Sequence, residues 1–155
     1  MEKIIEGIDY KTKLAKITMH GVVDRPGVAA EVFSALGQHG LNIEFISTSA
    51  VGRGRAEIMF AVLASEIENV VKVLDLVKEK FGTREITIDR DCALITLYGS
   101  LLATTPGIAG KIFTRLADHK INIEMINASL SGLSIVVKKE NIMEAVGAIR
   151  AEFGV

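Results

Sequence analysis

At residues 26–33 the chain reads PGVAAEVF, and at residues 106–113 it reads PGIAGKIF. The match continues to residues 49 and 129, and 11 of the 24 paired positions are identical. Upstream, ITMHG at 17–21 pairs with ITLYG at 95–99. Self-similarity of this strength marks two copies of one structural unit.

The first copy predicts the order strand, helix, strand, strand, helix, strand. Residues 15–20 alternate between apolar and polar, which is typical of a half-buried strand. After Pro26, apolar residues recur at helical spacing as far as Leu36, and Gly40 ends the helix. The remaining predictions are strands at 41–50, 56–64 and 85–89, a turn at 51–55, and a second helix after a capping box of Ser65 with Glu68. This is the ferredoxin-like split βαβ topology.

The second copy repeats this order but ends without its fourth strand. Its predicted elements are 94–99, 107–119, 121–128, 133–138 and a helix at 141–153 that starts at a capping pair of Asn141 with Glu144. Residues 3–8 form a strand candidate with no place in the first copy, and we expect them to cover the open edge of the second sheet. The predicted fold is α+β, with unit one at 12–90 inserted into unit two, which consists of 91–155 and 3–8. We expect the two units to pack as a pair.

The composition predicts a folded chain and restricts its partners. Apolar residues make up 49% of the chain, the net charge is −1, and no apolar stretch approaches the roughly 20 residues of a membrane helix. The balanced charge gives no electrostatic basis for binding nucleic acid or membrane. Cys92 is the single cysteine and no secretion signal precedes the repeat, so we expect a cytoplasmic protein.

The reactive side chains do not indicate an enzyme. His39 and His119 occupy the same repeat position in the last turn of a helix, where the helix dipole favours a cation. Cys92 starts a strand and is expected to be buried. GRG at 52–54 is interpreted as a turn, because the rest of a nucleotide-binding fingerprint is missing. No nucleophile–base pair stands out in the sequence, and neither a metal nor a cofactor is expected.

The start of the first helix of each unit is the candidate binding site. A helix N-terminus carries free N–H groups and partial positive charge, so it can hold a carboxylate, and Gly27 allows a ligand close to the backbone. Asp24 or Glu44 can hold an ammonium group, and Asn42 is expected on the same strand face as Glu44. Carboxylate and ammonium together describe an amino acid. The alternatives are that Asp24 caps its own turn, that Asn42 bonds a neighbouring loop, and that Glu44 and its counterpart Glu124 are solvated.

These residues also carry a family resemblance. GVVDRPGVAA at 21–30 followed by NIE at 42–44 resembles an ACT domain of the aspartate kinase type. The segment from 122 to 155 resembles the C-terminus of aspartate kinases, and IIEGI at 4–8 is similar to the strand that enters the second unit of that family. The resemblance covers essentially the whole chain and implies a regulatory region without a catalytic domain. It further implies feedback control by threonine, lysine or both, with the effector bound where units of two chains meet.

The candidate effector contacts follow from the helix starts and from this resemblance. In unit one they are Asp24, Arg25, Pro26, Gly27, Val28, Ala29, Asn42, Ile43, Glu44 and Thr48. In unit two they are Thr105, Gly107, Ile108, Ala109, Asn122, Ile123 and Glu124. Two positions depart from the family: Thr48 stands where a glutamine is common, and the loop at 100–105 differs from the usual Gly-x-Gly-Met form with its histidine.

The resulting hypothesis is an allosteric one. A homodimer binds the amino acid between its units, and a catalytic aspartate kinase chain responds to the arrangement that the amino acid stabilises. The main alternative is a stand-alone ACT sensor that serves another enzyme of amino-acid metabolism. RNA-recognition motifs share this topology but need aromatic residues on the third strand. Here Phe60 is the single aromatic residue on the third strands of the two units. A small ferredoxin-like enzyme is a further alternative.

Overall fold

The computed structural model describes residues 3–155, which divide into two compact units. Unit one is Lys13–Arg90, and unit two combines residues 3–12 with Asp91–Val155. The fold class predicted from the repeat, α+β with two ferredoxin-like units, is confirmed. Along the chain, unit one is inserted into unit two.

The described residues form six strands and four helices. The strands are β1 (Gly7–Val23), β2 (Phe45–Gly52), β3 (Arg55–Leu63), β4 (Glu85–Tyr98), β5 (Met125–Ala128) and β6 (Gly132–Lys138). The helices are α1 (Val28–Gln38), α2 (Ile67–Val77), α3 (Ile108–Asp118) and α4 (Ile142–Phe153), with 3-10 turns at Ala64–Glu66 and Lys139–Asn141 before α2 and α4. Strands β1 and β4 each contribute one part to each unit.

Each unit has the strand order of a split βαβ fold. In unit one the order is β2-β3-β1-β4, and in unit two it is β1-β4-β6-β5. Strand β3 pairs antiparallel with both β1 and β2, and β6 pairs in the same way with β4 and β5. The strand before the first helix of each unit, β1 in unit one and β4 in unit two, therefore lies inside its sheet and leads into a helix start.

The N-terminal segment packs on unit two. The Ile5 side chain is only 1% exposed and belongs to the apolar core of that unit. The Glu6 N–H donates to the Tyr98 carbonyl oxygen at 2.7 Å, although regular strand begins only at Gly7. A side chain at Gly99 would place its Cβ 2.0 Å from the Ile4 carbonyl oxygen, so glycine permits this close approach.

The two cores reuse the repeated positions. Helix α1 buries Val28, Val32 and Leu36, and α3 buries their counterparts Ile108, Ile112 and Leu116. Each fully buried aliphatic side chain of this kind contributes roughly 1.5–3 kcal/mol relative to exposure. Phe60 is fully buried and meets Phe33 edge to face at 5.5 Å. Cys92 is buried, as expected.

Three local predictions were wrong. Strand β2 begins at Phe45 rather than Leu41, because the Leu41 N–H donates back to the Leu36 carbonyl in the turn that ends α1. The capping boxes of α2 and α4 do not form among the described residues, since a 3-10 turn leads into each helix and the cap residues Glu66 and Asn141 are already helical. Pro26 lies one residue before the N-cap Gly27 rather than in the first helical turn.

Candidate functional site

The loop between β1 and α1 is held by the backbone of its neighbours. The Val23 N–H donates to the Phe81 carbonyl and the Asp24 N–H donates to the Gly54 carbonyl, each at 2.9 Å. The Arg25 guanidinium carbon lies 5.9 Å from the centroid of the Phe81 ring, within range of a cation–π contact. The Asp24 side chain is exposed while its backbone is fixed. The loop therefore presents a carboxylate from a defined backbone position.

Helix α1 starts without a side-chain cap. Gly27 is the N-cap residue, with φ 92° and ψ −13°, and within residues 3–155 no side chain accepts a hydrogen bond at this helix end. The Val28 N–H reaches the Arg25 carbonyl only at 3.4 Å, longer than the usual 2.9–3.0 Å. A Cβ at Gly27 would meet nothing within 4 Å, so space in front of the helix is open. An uncapped helix start of this kind leaves N–H groups available, as the predicted carboxylate seat requires.

A cavity of about 160 Å³ lies at this helix start. It is lined by Val22, Val23, Asp24, Arg25, Val28, Ala29, Thr48, Ser49, Ala50, Ala56 and Ile58. The fold thus brings together five of the candidate contacts, namely Asp24, Arg25, Val28, Ala29 and Thr48. Pro26 and Gly27 lie between the lining residues Arg25 and Val28 in the sequence but do not line the cavity themselves. Its volume is below the roughly 300–1,000 Å³ of drug-sized sites, so it suits a small ligand.

The residues Asn42, Ile43 and Glu44 do not line this cavity, contrary to their predicted place on a strand beside it. They precede β2 instead of lying on it. Asn42 is exposed, Ile43 packs against the core of unit one, and the Glu44 N–H donates to the Ala61 carbonyl at 2.8 Å. Of the two acidic residues proposed for an ammonium group, only Asp24 is at the cavity.

The sequence did not predict the contribution of Ser49 and Ala50. Strand β2 pairs with β3 with Thr48 opposite Ile58 and Ala50 opposite Ala56, which brings both strands to the cavity. The polar run STS at 47–49 was visible in the sequence, but its place at the cavity depends on the register of β2 with β3, which the sequence does not show. Thr48 and Ser49 add hydroxyl groups, which both donate and accept hydrogen bonds.

Unit two repeats the uncapped helix start, and hydrogen bonds hold the loop before it. Gly107 is the N-cap of α3, with φ 83° and ψ 0°, and again no side chain within residues 3–155 caps the helix. In the preceding loop the Glu6 carboxylate accepts hydrogen bonds from the Ser100 N–H at 3.0 Å and the Ser100 hydroxyl at 2.8 Å. Both hydrogen bonds lower the pKa of Glu6, and the bond from the Ser100 backbone N–H has the larger effect. The Thr105 N–H donates to the Leu101 carbonyl at 3.0 Å, which closes the turn.

The other candidates of unit two resemble their counterparts in placement. Asn122 is exposed and Ile123 packs against the core of unit two. The Glu124 N–H donates to the Val136 carbonyl at 2.8 Å, and its carboxylate lies 3.8 Å from the Lys138 ammonium. These residues precede β5, as 42–44 precede β2, while Ile108 is buried and Ala109 exposed at the start of α3.

The structure brings together a side-chain cluster of His20, Glu57 and Thr87 that the sequence did not reveal. His20 Nδ1 lies 2.8 Å from the Glu57 carboxylate, and His20 Nε2 lies 2.9 Å from the Thr87 hydroxyl. The three residues come from β1, β3 and β4 and are far apart in sequence, so spacing alone could not connect them. We interpret them as cross-strand polar pairs on a sheet face.

The other two histidines occupy the ends of the first helices. His39 Nδ1 contacts the Ala35 carbonyl at 2.8 Å, and His119 Nδ1 contacts the Glu144 carboxylate at 2.9 Å. Within residues 3–155 no group of three or more potential ligands could hold a metal ion. The same residues include no helix that is long and apolar enough to cross a membrane.

Comparison with known proteins agrees with this geometry. The ACT domain profile matches residues 17–82, and a second ACT domain profile matches residues 95–153. The regulatory subunit of aspartate kinase from Thermus thermophilus, in its ligand-free form, is 30% identical with a TM-score of 0.88. The alignment covers 97% of this chain and 99% of that subunit. The chain belongs to the ACT family of aspartate kinase regulatory chains.

Longer aspartate kinases contain a similar segment. The aspartate kinase structure from Synechocystis is 30% identical with a TM-score of 0.94, over 99% of this chain and 28% of that one. The aspartate kinase Ask_LysC from Stutzerimonas stutzeri is 28% identical over 152 residues. This chain spans 37% of the length of that relative, so the comparison concerns the regulatory part of such proteins.

Proposed function

We propose that this chain is a non-catalytic regulatory chain that binds an amino acid and thereby mediates feedback inhibition of aspartate kinase. One observation carries the proposal: the uncapped start of α1 and the acidic residue Asp24 line the same small cavity. Partial positive charge and negative charge within one small cavity match the two ends of a zwitterion.

The expected pose follows from the lining. The α-carboxylate of the effector accepts hydrogen bonds from the N–H groups at the start of α1, and its ammonium group contacts Asp24. The hydroxyl groups of Thr48 and Ser49 are available for the side chain of the effector. The cavity is small, and the residues that β2 contributes to it, Thr48, Ser49 and Ala50, are neutral. Threonine therefore fits better than lysine, because the second ammonium group of lysine would need another carboxylate.

The helix start of unit two supports a second seat of the same kind. Gly107 reproduces the left-handed N-cap of Gly27, and both helices lack a side-chain cap. We include Thr105, Gly107, Ile108, Ala109, Asn122, Ile123 and Glu124 in the proposal as contacts of a weaker site. It is weaker because unit two has no acidic residue at the position that Asp24 holds two residues before Pro26: the residue two before Pro106 is Thr104.

The proposed partners are a second copy of this chain and a catalytic aspartate kinase chain. Strand β2 is an edge strand of unit one, and it exposes 43% of Ile46 and 55% of Val51. Pairing of two such edges would cover apolar surface and bring a second chain to the half-open cavity. The catalytic partner is proposed because a regulatory subunit of aspartate kinase is similar over its whole length. Such an assembly belongs in the cytoplasm, where the buried Cys92 would stay reduced.

A thermal-shift screen of the twenty amino acids tests the proposal. Binding to the folded state at a hundredfold excess over Kd stabilises it by about 2.7 kcal/mol, so threonine should raise Tm clearly. A kinase assay with the catalytic chain should then show inhibition by the same amino acid. If lysine alone raises Tm, lysine is the effector and only the preference for threonine is wrong. If an amino acid other than threonine or lysine alone raises Tm, the chain is a sensor for a different enzyme. If none does at millimolar concentration, the amino-acid-binding function is wrong.

A further inference from the structure

Unit one has a second cavity, of about 330 Å³, whose lining is basic. It includes the side chains of Arg53, Arg55 and Arg84 together with His20 and Glu57. We propose that this cavity binds a polyvalent oxyanion of the phosphate class. The proposal goes beyond amino-acid binding and does not depend on it.

A β-bulge builds the floor of this cavity. Along β1 and β3, Met19 pairs with Ile58 and Val22 with Ala56, so two residues of β1, His20 and Gly21, stand opposite Glu57. Bulges of this kind redirect side chains and are common beside functional sites. Gly21 has φ 65°, and a Cβ there would lie 2.8 Å from Arg84 Cδ. The glycine therefore lets the stem of Arg84 lie directly on the bulge.

Arg55 is fixed at the same place by the backbone. Its Nη1 donates to the Gly21 carbonyl at 3.2 Å and to the Gly82 carbonyl at 3.3 Å. Both bonds use one nitrogen, which leaves Nε and Nη2 of the planar guanidinium for a ligand. A guanidinium anchored in this way has already lost much of its rotational freedom, so less is lost when an anion binds.

Arg53 holds its position at a conformational cost. It occupies the two-residue turn between β2 and β3 with φ 57°, followed by Gly54 at φ 70°. Asparagine and glycine are the residues that usually occupy such a turn, and an arginine with a left-handed backbone is strained there. The turn tolerates a costly arginine at the rim of a basic cavity, which is the pattern expected where backbone strain serves binding.

The local charge is positive and is not balanced by the protein. Three arginines face one carboxylate, and that carboxylate, Glu57, contacts His20 at 2.8 Å. Among residues 3–155, neither Arg53 nor Arg84 forms an ion pair. A single carboxylate ligand needs only one bidentate guanidinium, whereas several guanidinium groups around one cavity match the several oxygens and higher charge of a phosphate.

This cavity is separate from the effector cavity. Arg55 and Glu57 line the basic cavity, while the alternate residues Ala56 and Ile58 line the effector cavity. The two cavities share no lining residue, so each has its own set of side chains. Loss of one kind of binding therefore leaves the other measurable.

Nuclear magnetic resonance of the full chain with inorganic pyrophosphate tests the proposal. We expect saturable shifts of the Gly21, Gly52 and Gly54 amides, and weaker binding of acetate. Arg84→Gln and Arg53→Gly should each weaken pyrophosphate binding by about tenfold or more, as expected for a lost charge-assisted hydrogen bond. Arg53→Gly relieves the turn strain at the same time, so it separates loss of binding from loss of stability. Arg150→Gln is the matched control, because Arg150 is an exposed residue of α4 in unit two. This variant should bind pyrophosphate like the unmodified chain.

Several results would overturn the proposal. They are shifts that do not saturate, unchanged affinity in both cavity variants, equal affinity for acetate, and an equal loss in Arg150→Gln. Saturable shifts confined to Ala29 and Thr48 would also contradict it, because they would place the anion in the effector cavity.

Discussion

Removal of the Asp24 carboxylate should weaken effector binding while leaving the fold intact. Asp24→Asn keeps the shape of the side chain and the N–H bond to the Gly54 carbonyl, so the loop should stay in place. The side chain is exposed, and substitutions at such positions usually change stability by no more than about 0.5 kcal/mol.

The size of the binding loss follows from the exposure of the carboxylate. A charge-assisted hydrogen bond contributes about 1.5–3 kcal/mol, and the lower end applies because the cavity is half open to water. A loss of about 1.4 kcal/mol corresponds to a tenfold rise in Kd for threonine. The loss should shrink as salt is added, since screening already weakens the ion pair in the unmodified chain.

Isothermal titration calorimetry of threonine with the two proteins measures this difference. Asp118→Asn provides the matched control, because it makes the same charge change on the exposed surface of α3 in unit two. The reasoning fails if Asp24→Asn binds threonine as tightly as the unmodified chain. It also fails if the control loses as much affinity, since a general charge effect would then explain both results.

Three further predictions concern the backbone of the helix start, the loop of unit two and the N-terminal segment. Gly27→Ala should lower the free energy of unfolding by about 1–2 kcal/mol, because the φ of 92° at Gly27 disfavours alanine. Gly37→Ala should raise it by about 0.5–1 kcal/mol, because Gly37 lies inside α1. Urea unfolding of both variants measures the two effects, and equal effects would contradict the left-handed cap. Glu6→Gln should destabilise the chain at pH 7, because the hydrogen bonds from Ser100 lower the folded pKa of Glu6 and so stabilise the fold above its usual pKa of 4.5. The difference in unfolding free energy between the two proteins should disappear as the pH falls below 4.5. A difference that is constant with pH would rule out the ionised carboxylate as its source. Gly99→Ala should lower the free energy of unfolding by about 1–3 kcal/mol through its clash with the Ile4 carbonyl, and an unchanged Tm would show that residues 3–6 do not pack there.

The sequence was sufficient for the architecture because the repeat constrains it twice. The apolar stripe of Val28, Val32 and Leu36 recurs as Ile108, Ile112 and Leu116, so each copy supports the interpretation of the other. The segment before unit one was predicted less accurately: residues 3–8 were expected as a strand, whereas regular strand begins at Gly7. Burial of apolar side chains is the main driving force for folding, and the spacing of those side chains is visible in the sequence itself.

The sequence was insufficient wherever hydrogen bonds decide a boundary. Residues 41–44 look like strand by composition, yet the Leu41 N–H bonds back to Leu36 and regular strand begins only at Phe45. Asn42 and Glu44 therefore precede the strand and do not line the cavity, whereas Ser49 and Ala50 line it through the register of β2 with β3. The bulge at His20 and Gly21 was equally invisible, because it depends on register with β3 and not on local sequence.

A crystal structure of the chain with threonine tests the central claim most directly. We predict that the amino acid lies at the start of α1, with its carboxylate on the N–H groups of Val28 and Ala29 and its ammonium group within hydrogen-bond distance of Asp24. A saturating concentration of threonine that leaves this cavity empty, or threonine bound only away from the starts of α1 and α3, would contradict the account.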